Sequence, residues 1–202
     1  MTAIIISALV AYLLGSINTS IIVSKLFGSG DIRQYGSGNA GATNTLRVLG
    51  KKAAVLVMIG DGLKGFFAVI IAKWFSHLFS QGAVSPYVAA VFVMLGHVFP
   101  IFFSFKGGKG IMTSIVVVFT LNPIIGAILV GIFIIIVAIF NYISLASVIS
   151  SALYPILVLV FNWGDIAFFI SAIIMGVIAI IKHKSNIVRL INGNESKFIK
   201  KK

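Results

Sequence analysis

The chain has 202 residues, 59% of them hydrophobic and 10% charged, with a formal net charge of +12 and no cysteine. A water-soluble domain of that composition would expose too much apolar surface, so the chain reads as an integral membrane protein, and the missing thiols exclude disulfides, thiolate metal sites and a thiol nucleophile. The 16 basic residues, set against four acids, flank apolar stretches, which points to the inner membrane face and anionic substrates rather than to nucleic acid.

A membrane span needs about 20 apolar residues at 1.5 Å rise each. In chain order the predicted spans are 3–26, 53–75, 86–103, 111–121, 124–140, 143–162 and 165–181. The first has no basic region before it and no cleavage site, so it is expected to be a retained span and not a signal peptide. Three polar islands interrupt the series. Loop 28–52 carries Gly36-Ser37-Gly38-Asn39-Ala40-Gly41-Ala42-Thr43-Asn44-Thr45-Leu46-Arg47. Loop 104–110 carries Phe105-Lys106-Gly107-Gly108-Lys109-Gly110, and the tail 182–202 carries His183, Ser185, Asn186, Arg189 and Glu195. All three are rich in Lys or Arg, and positive loops stay in the cytoplasm, so the three are expected on one side. The stretch 111–181 must then cross an even number of times. A turn at Asn122-Pro123 satisfies that parity, and proline disfavours helix at the residue before it. The expected architecture is all-α, a single polytopic bundle over 1–202. It has seven transmembrane helices, the N-terminus outside and the C-terminus cytoplasmic. Five spans, with two weak ones lying in the interface, is the alternative. No internal repeat and no separate soluble domain is visible.

Two charges fall inside the second span. Asp61 and Lys64, at i and i+3, share a helix face. Each costs about 2.5–3.5 kcal/mol at mid-membrane on insertion scales. Two readings stand: a polar wall that orients the island above it, or an ion pair that locks helices together. Asn18 and Asn141 are expected to make interhelical hydrogen bonds. His97 reads equally as a helix-end histidine bonded to backbone or as a substrate contact. Gly36-x-Gly38-x-x-Gly41 matches a dinucleotide fingerprint as text, but it lacks the strand and βαβ context that the fingerprint needs. No pair of histidines has metal spacing, and no His-x-x-x-x-Asp pattern follows any histidine. No cofactor and no metal is expected.

The islands themselves suit phosphate. Backbone N–H groups of a glycine turn form a concave anion site. Ser37, Asn39, Thr43 and Asn44 add neutral donors, and Arg47 adds a bidentate cation. Lys106 and Lys109 stand on a second glycine turn. Two such loops on one face suggest two phosphate groups, or one diphosphate. The competing reading is that they are ordinary positive-inside loops.

On these residues the chain resembles the bacterial acyl-phosphate:glycerol-3-phosphate acyltransferases of the inner membrane. Gly36 to Arg47 is similar to the family's first motif. Asp61-x-x-Lys64-Gly65 falls where the family also has polar residues. Gly96-His97-x-x-Pro100 with Phe105 to Gly110 is similar to the second motif. His183, Asn186-Ile187, Arg189-Leu190 and Glu195 are similar to the third, with Lys184 where arginine is common. The resemblance implies transfer of a fatty acyl group from acyl-phosphate to the 1-hydroxyl of glycerol 3-phosphate, giving lysophosphatidic acid and phosphate. The expected partners are those two substrates and membrane lipids, and the expected site faces the cytoplasm. Under this reading Ser37, Gly38, Asn39, Thr43, Asn44 and Arg47, with Gly107, Gly108 and either Lys106 or Lys109, bind the donor phosphate and polarise its carbonyl. His183, Asn186 and Arg189, with Glu195, hold the acceptor. Arg47, Lys106, Asn44 and His183 are the candidate catalytic residues. His183, Glu195, Asp61 or the departing phosphate is the base. A transporter of a phosphorylated metabolite is the main rival, and it predicts polar groups along a path to both faces.

Overall fold

The computed structural model describes residues 1–79 and 84–199. Among them the regular structure is helical, with no strand. Five stretches are long and apolar enough to cross a membrane: Thr2–Leu26, Ala42–Leu78, Val84–Phe103, Pro123–Phe140 and Ile143–Phe161. A sixth is reached if Ile166–Lys182 and Lys184–Ile191, bent by 59° to each other, form one broken span. Ile111–Leu121 is apolar but only 11 residues long. Each stretch expected from hydropathy therefore coincides with a helix, in a multi-pass membrane protein. The chain divides into two compact units, Met1–Leu121 and Asn122–Lys202.

In the first unit the N-terminal stretch is broken. Helix α1 (Thr2–Ser16) ends at Ile17, whose backbone is extended, and α2 (Thr19–Leu26) begins after Asn18. Asn18 was expected to bond across helices. Instead its side-chain oxygen accepts the Ile21 N–H at 3.2 Å and the Ser20 hydroxyl at 2.9 Å. A short carboxamide beside a helix start is better placed to cap that start than to reach a neighbour. α1 packs on α4 (Val84–Val98). Small residues let the two backbones approach: a Cβ on Gly15 would lie 2.2 Å from the Val93 carbonyl oxygen, and one on Gly96 would lie 2.2 Å from that of Tyr12. α3 (Ala42–Leu78) packs against α1, α2, α4 and α5 (Ile111–Leu121). Its 37 residues exceed the roughly 20 that a bilayer needs. Gly50, at φ 82° and ψ −174°, interrupts it. The residues before Gly50 carry the end of the first island, and those after it form the membrane segment.

In the second unit α6 (Pro123–Phe140) starts at the expected break. Asn122 accepts the N–H groups of Ile124 and Ile125 at 3.0 and 3.1 Å, and Pro123 fills the first helical turn, where its missing N–H costs nothing. The Asn122 amide also donates to the Asn162 side chain at 2.8 Å. α6 ends at Asn141, which is left-handed at φ 62°. Asn141, too, was expected to bond between helices. Its carboxamide instead takes the Ile199 N–H and gives to the Ile199 carbonyl, both at 2.8 Å. The residue that ends α6 therefore holds the C-terminal segment at Phe198 and Ile199. α7 (Ile143–Phe161) packs on α6 and α8 (Ile166–Lys182), and α9 (Lys184–Ile191) follows against α7 and α8. Lys200, Lys201 and Lys202 lie outside the described residues.

Candidate active site

The two charges in α3, Asp61 and Lys64, are buried. Lys64 Nζ lies 2.9 Å from Asp61 Oδ1 and donates to the Ile17 carbonyl at 2.9 Å. That carbonyl belongs to the gap between α1 and α2, where the helix ladder leaves backbone oxygens unpaired. In a low-dielectric surrounding an orphaned carbonyl is costly, and the lysine supplies its donor. His97 Nδ1 approaches Asp61 Oδ1 at 3.6 Å and Thr113 Oγ1 at 3.5 Å. The pair thus acts as the expected lock between helices. It ties α3 to the broken first span, and through His97 it reaches the second island.

The first island is held from within by Asn44, which is 1% exposed. Its side-chain oxygen accepts the Ser37 N–H at 2.8 Å, and its amide donates to the carbonyls of Ile32 and Tyr35 at 3.2 and 3.0 Å. Both ends of the carboxamide are occupied by backbone. Asn44, expected to contact a phosphate, thus also shapes the loop that carries the other candidate ligands. Gly41 precedes α3, and its carbonyl accepts the N–H groups of Asn44 and Thr45. Ser37, Gly38 and Arg47 are exposed, while Asn39 and Thr43 are half-buried. The α3 N-terminus, with its positive dipole end, is thus ringed by donors and one cation, which favours an anion.

The second island threads through a narrow passage. The Gly107 N–H donates to the Val98 carbonyl, and the Gly108 N–H donates to that of His97. A Cβ on Gly107 would lie 2.0 Å from the His97 carbonyl oxygen. A Cβ on Gly108 would lie 2.3 Å from His97 Nε2 and 2.4 Å from the Ala40 carbonyl oxygen. Both glycines were expected to bind the donor phosphate; each also lies where a side chain would clash with the protein, and through Ala40 Gly108 brings the two islands into contact. Lys106 is exposed and Lys109 half-buried.

Arg33, just ahead of the first glycine turn, supplies a further link. It bonds Asp31 on one side and the carbonyls of Phe103 and Lys106 on the other. The hydrogen bond from Arg33 holds the Asp31 carboxyl below its ordinary range, and Asp31 raises the guanidinium in turn. An Asp-x-Arg pair just ahead of a glycine loop was the signal available.

The third island lies in the second unit. Glu195 accepts from the Asn186 amide at 2.9 Å and from Arg189 Nε at 2.8 Å. Glu195, expected as a substrate ligand, thereby orients two further candidate ligands. Burial raises its carboxyl, but the hydrogen bonds from Arg189 and Asn186 outweigh that and hold it below the ordinary carboxylate range, with Ser144 adding to the effect. Ser144, on α7, had no motif to mark it. His183 is buried, and its Nδ1 lies 2.7 Å from the Ala179 carbonyl. A carbonyl only accepts, so Nδ1 carries the proton and Nε2 is the basic nitrogen of the neutral ring.

A depressed carboxyl links this contact to pH. It stabilises the 183–195 segment above the unfolded carboxylate pKa of about 4.3, and the stabilisation disappears as pH falls through the folded value. The protection factors of the α9 amides, that is, exchange rates corrected for the intrinsic pH dependence, are expected to fall in wild type on acidification below about pH 4.3. Glu195→Gln is expected to exchange faster at neutral pH and to show no such acid step.

The helices define an integral membrane protein whose first two polar islands, rich in glycine and cations, are held against each other. A family model described as "Glycerol-3-phosphate acyltransferase" matches residues 5–193. A glycerol-3-phosphate acyltransferase of Thermoanaerobacter pseudethanolicus is 43% identical over 195 residues, covering 96% of this chain and 94% of that protein. One of Paraburkholderia phymatum is 50% identical over 122 residues, a match that spans 60% of this chain and 58% of the relative's own length. The crystal structure of PlsY (YgiH), an integral membrane glycerol 3-phosphate acyltransferase in its glycerol 3-phosphate form, superposes with a TM-score of 0.90 at 37% identity, covering 98% of this chain and 96% of that one. The lysophosphatidic acid form of PlsY gives a TM-score of 0.86 at 36% identity, covering 98% of this chain and 95% of that one. The chain belongs to the glycerol-3-phosphate acyltransferase family.

Proposed function

We propose that this protein transfers a fatty acyl group from acyl-phosphate to the 1-hydroxyl of glycerol 3-phosphate, releasing lysophosphatidic acid and phosphate in the first acylation of phospholipid synthesis. The observation that carries this reading is the family match across residues 5–193, joined to a fold shared with a protein solved with both the acceptor and the acylated product. Both substrates carry phosphate, in keeping with cationic glycine loops.

An acyl-phosphate is a mixed anhydride, so its phosphate leaves readily. The bond from the acceptor oxygen to the acyl carbon forms as the bond from that carbon to the phosphate oxygen breaks. The protein's task is to align two mutually repelling anions and to stabilise the oxyanion that develops. Ser37, Gly38, Asn39, Thr43 and Arg47, with Lys106 and Lys109, take the donor phosphate, and Arg47 and Lys106 supply the charge. His183, Asn186 and Arg189 take glycerol 3-phosphate. Of the possible bases, Asp61 is bound to Lys64 and Glu195 to Asn186 and Arg189. In this reading His183 Nε2 or the departing phosphate accepts the hydroxyl proton.

The topology that fits this chemistry has seven crossings, with the N-terminus outside. The three islands then meet soluble glycerol 3-phosphate at the cytoplasmic face of the bacterial inner membrane. The positive-inside bias of the loops supports it.

Phosphate release from palmitoyl-phosphate by detergent-purified protein, with and without glycerol 3-phosphate, tests the reaction, and mass spectrometry identifies lysophosphatidic acid. Release is expected to depend on the acceptor. In Arg47→Ala it is expected to fall by about 10²–10³-fold, the loss that follows removal of one oxyanion-stabilising group. Well-folded wild type without acceptor-dependent release would sink the proposal.

A further inference from the structure

Between the first two islands lies a contact that no motif marks. Asp31 caps a short turn by accepting the Arg33 N–H at 3.0 Å. The same carboxylate grips the Arg33 side chain, with Oδ1 and Oδ2 each 3.0 Å from Nε and Oδ2 2.6 Å from Nη2. This grip leaves Nη1 pointing away from the carboxylate, and Nη1 donates to the Phe103 carbonyl at 2.9 Å and to the Lys106 carbonyl at 2.8 Å. Those two carbonyls bracket Ser104 and Phe105. Both are left-handed, at φ 57° and 58°, and neither is glycine. Successive non-glycine residues rarely adopt that conformation, because Cβ crowds the following carbonyl. Such a turn persists only where its surroundings hold it. The next residue in the chain is Lys106.

We propose that Arg33 is a positioning residue, a guanidinium aimed by Asp31 that clamps the strained Ser104-Phe105 turn and so fixes where Lys106 is presented. This rests on the acyltransferase reading for its consequence, since Lys106 is assigned there to the donor phosphate. The clamp itself is a property of the fold. Lysine cannot replace the arginine. Only a planar fork can satisfy a carboxylate along one edge and bridge two carbonyls with the remaining nitrogen. Glycine at position 104 would adopt the left-handed conformation without strain and lessen the need for a clamp.

The test compares wild type, Arg33→Lys, Asp31→Asn, Ser104→Gly and the double variant Arg33→Lys/Ser104→Gly. All are purified in detergent and checked for monodispersity. Arg33→Lys keeps the charge, so loss of long-range attraction does not explain its effect. Its kcat/KM for acyl-phosphate is expected to fall by about tenfold or more, the scale that follows a misplaced catalytic group. Asp31→Asn is expected to move in the same direction by a smaller factor. Ser104→Gly alone is expected to stay within about twofold of wild type and, combined with Arg33→Lys, to restore at least about threefold of the loss. Hydrogen exchange gives a readout independent of activity. The Phe105 and Lys106 amides bond to Pro100 and Phe103; their exchange is expected to quicken in Arg33→Lys and to slow again in the double variant. Wild-type-like rate and exchange in Arg33→Lys would overturn the clamp. So would a defect that Ser104→Gly does not relieve, since the guanidinium would then act by some route other than holding this turn. If wild type itself makes no lysophosphatidic acid, the functional reading fails, and the exchange data decide the clamp by themselves.

Discussion

Replacing Gly108 with alanine is expected to lower kcat/KM by about 100-fold, the scale of loss that follows a displacement near 1 Å of groups that must align. The added Cβ would meet the Ala40 carbonyl oxygen at 2.4 Å and His97 Nε2 at 2.3 Å. Neither neighbour gives way freely. Ala40 is fully buried in a cluster with Ile21 and Ile32. His97 is 4% exposed, with Asp61 and Thr113 on its other ring nitrogen. The loop must therefore move, and Lys106 moves with it. The stability cost is expected at about 1–3 kcal/mol, as for other overpacked sites. Gly131→Ala is the matched control, because a Cβ there meets nothing within 4 Å. Steady-state kinetics and thermal unfolding in detergent, run on both variants, check this. A loss below about threefold in Gly108→Ala would mean that the second island is not held by this passage.

Asp61→Leu is expected to be the most destabilising single change in the first unit, at about 3–5 kcal/mol, because it strips a buried ammonium of its counter-charge. Lys64 would keep its bond to the Ile17 carbonyl but lose the carboxylate 2.9 Å away. The double variant Asp61→Leu/Lys64→Met removes both charges together. It is expected to recover most of that loss, since replacing a whole buried pair by apolar groups is often close to neutral. It leaves the Ile17 carbonyl without its donor, a deficit of about 1–3 kcal/mol. The expected order of melting temperature is wild type, then double, then single variant. Equal melting of the single and double variants would show that the two charges are not coupled.

Helix positions were legible because lipid imposes a length. A run of about 20 apolar residues has one structural solution there, since every backbone group must bond within its own segment. The break at Asn122-Pro123 was legible for a local reason, an Asn cap ahead of a proline. The break at Ile17-Asn18 was not. Nothing in the local sequence distinguishes a capping Asn from one that bonds across helices, and the stability of that gap depends on Lys64, which lies 47 positions along the chain.

Composition and local pattern by themselves determined that this is a multi-pass helical membrane protein with three polar islands suited to phosphate. Those properties follow from apolar length, glycine content and charge sign, all additive along the chain. Only the tertiary structure decided the work of individual side chains. Asn44 and Glu195 were read as ligands, and the fold shows that both also hold neighbouring groups, because a carboxamide or carboxylate has the same letters whichever way it points. Arg33 reaches carbonyls 70 and 73 positions away. Hydrogen bonds form between atoms near in space, and nearness across that separation is created by the packing of α3, α4 and α5.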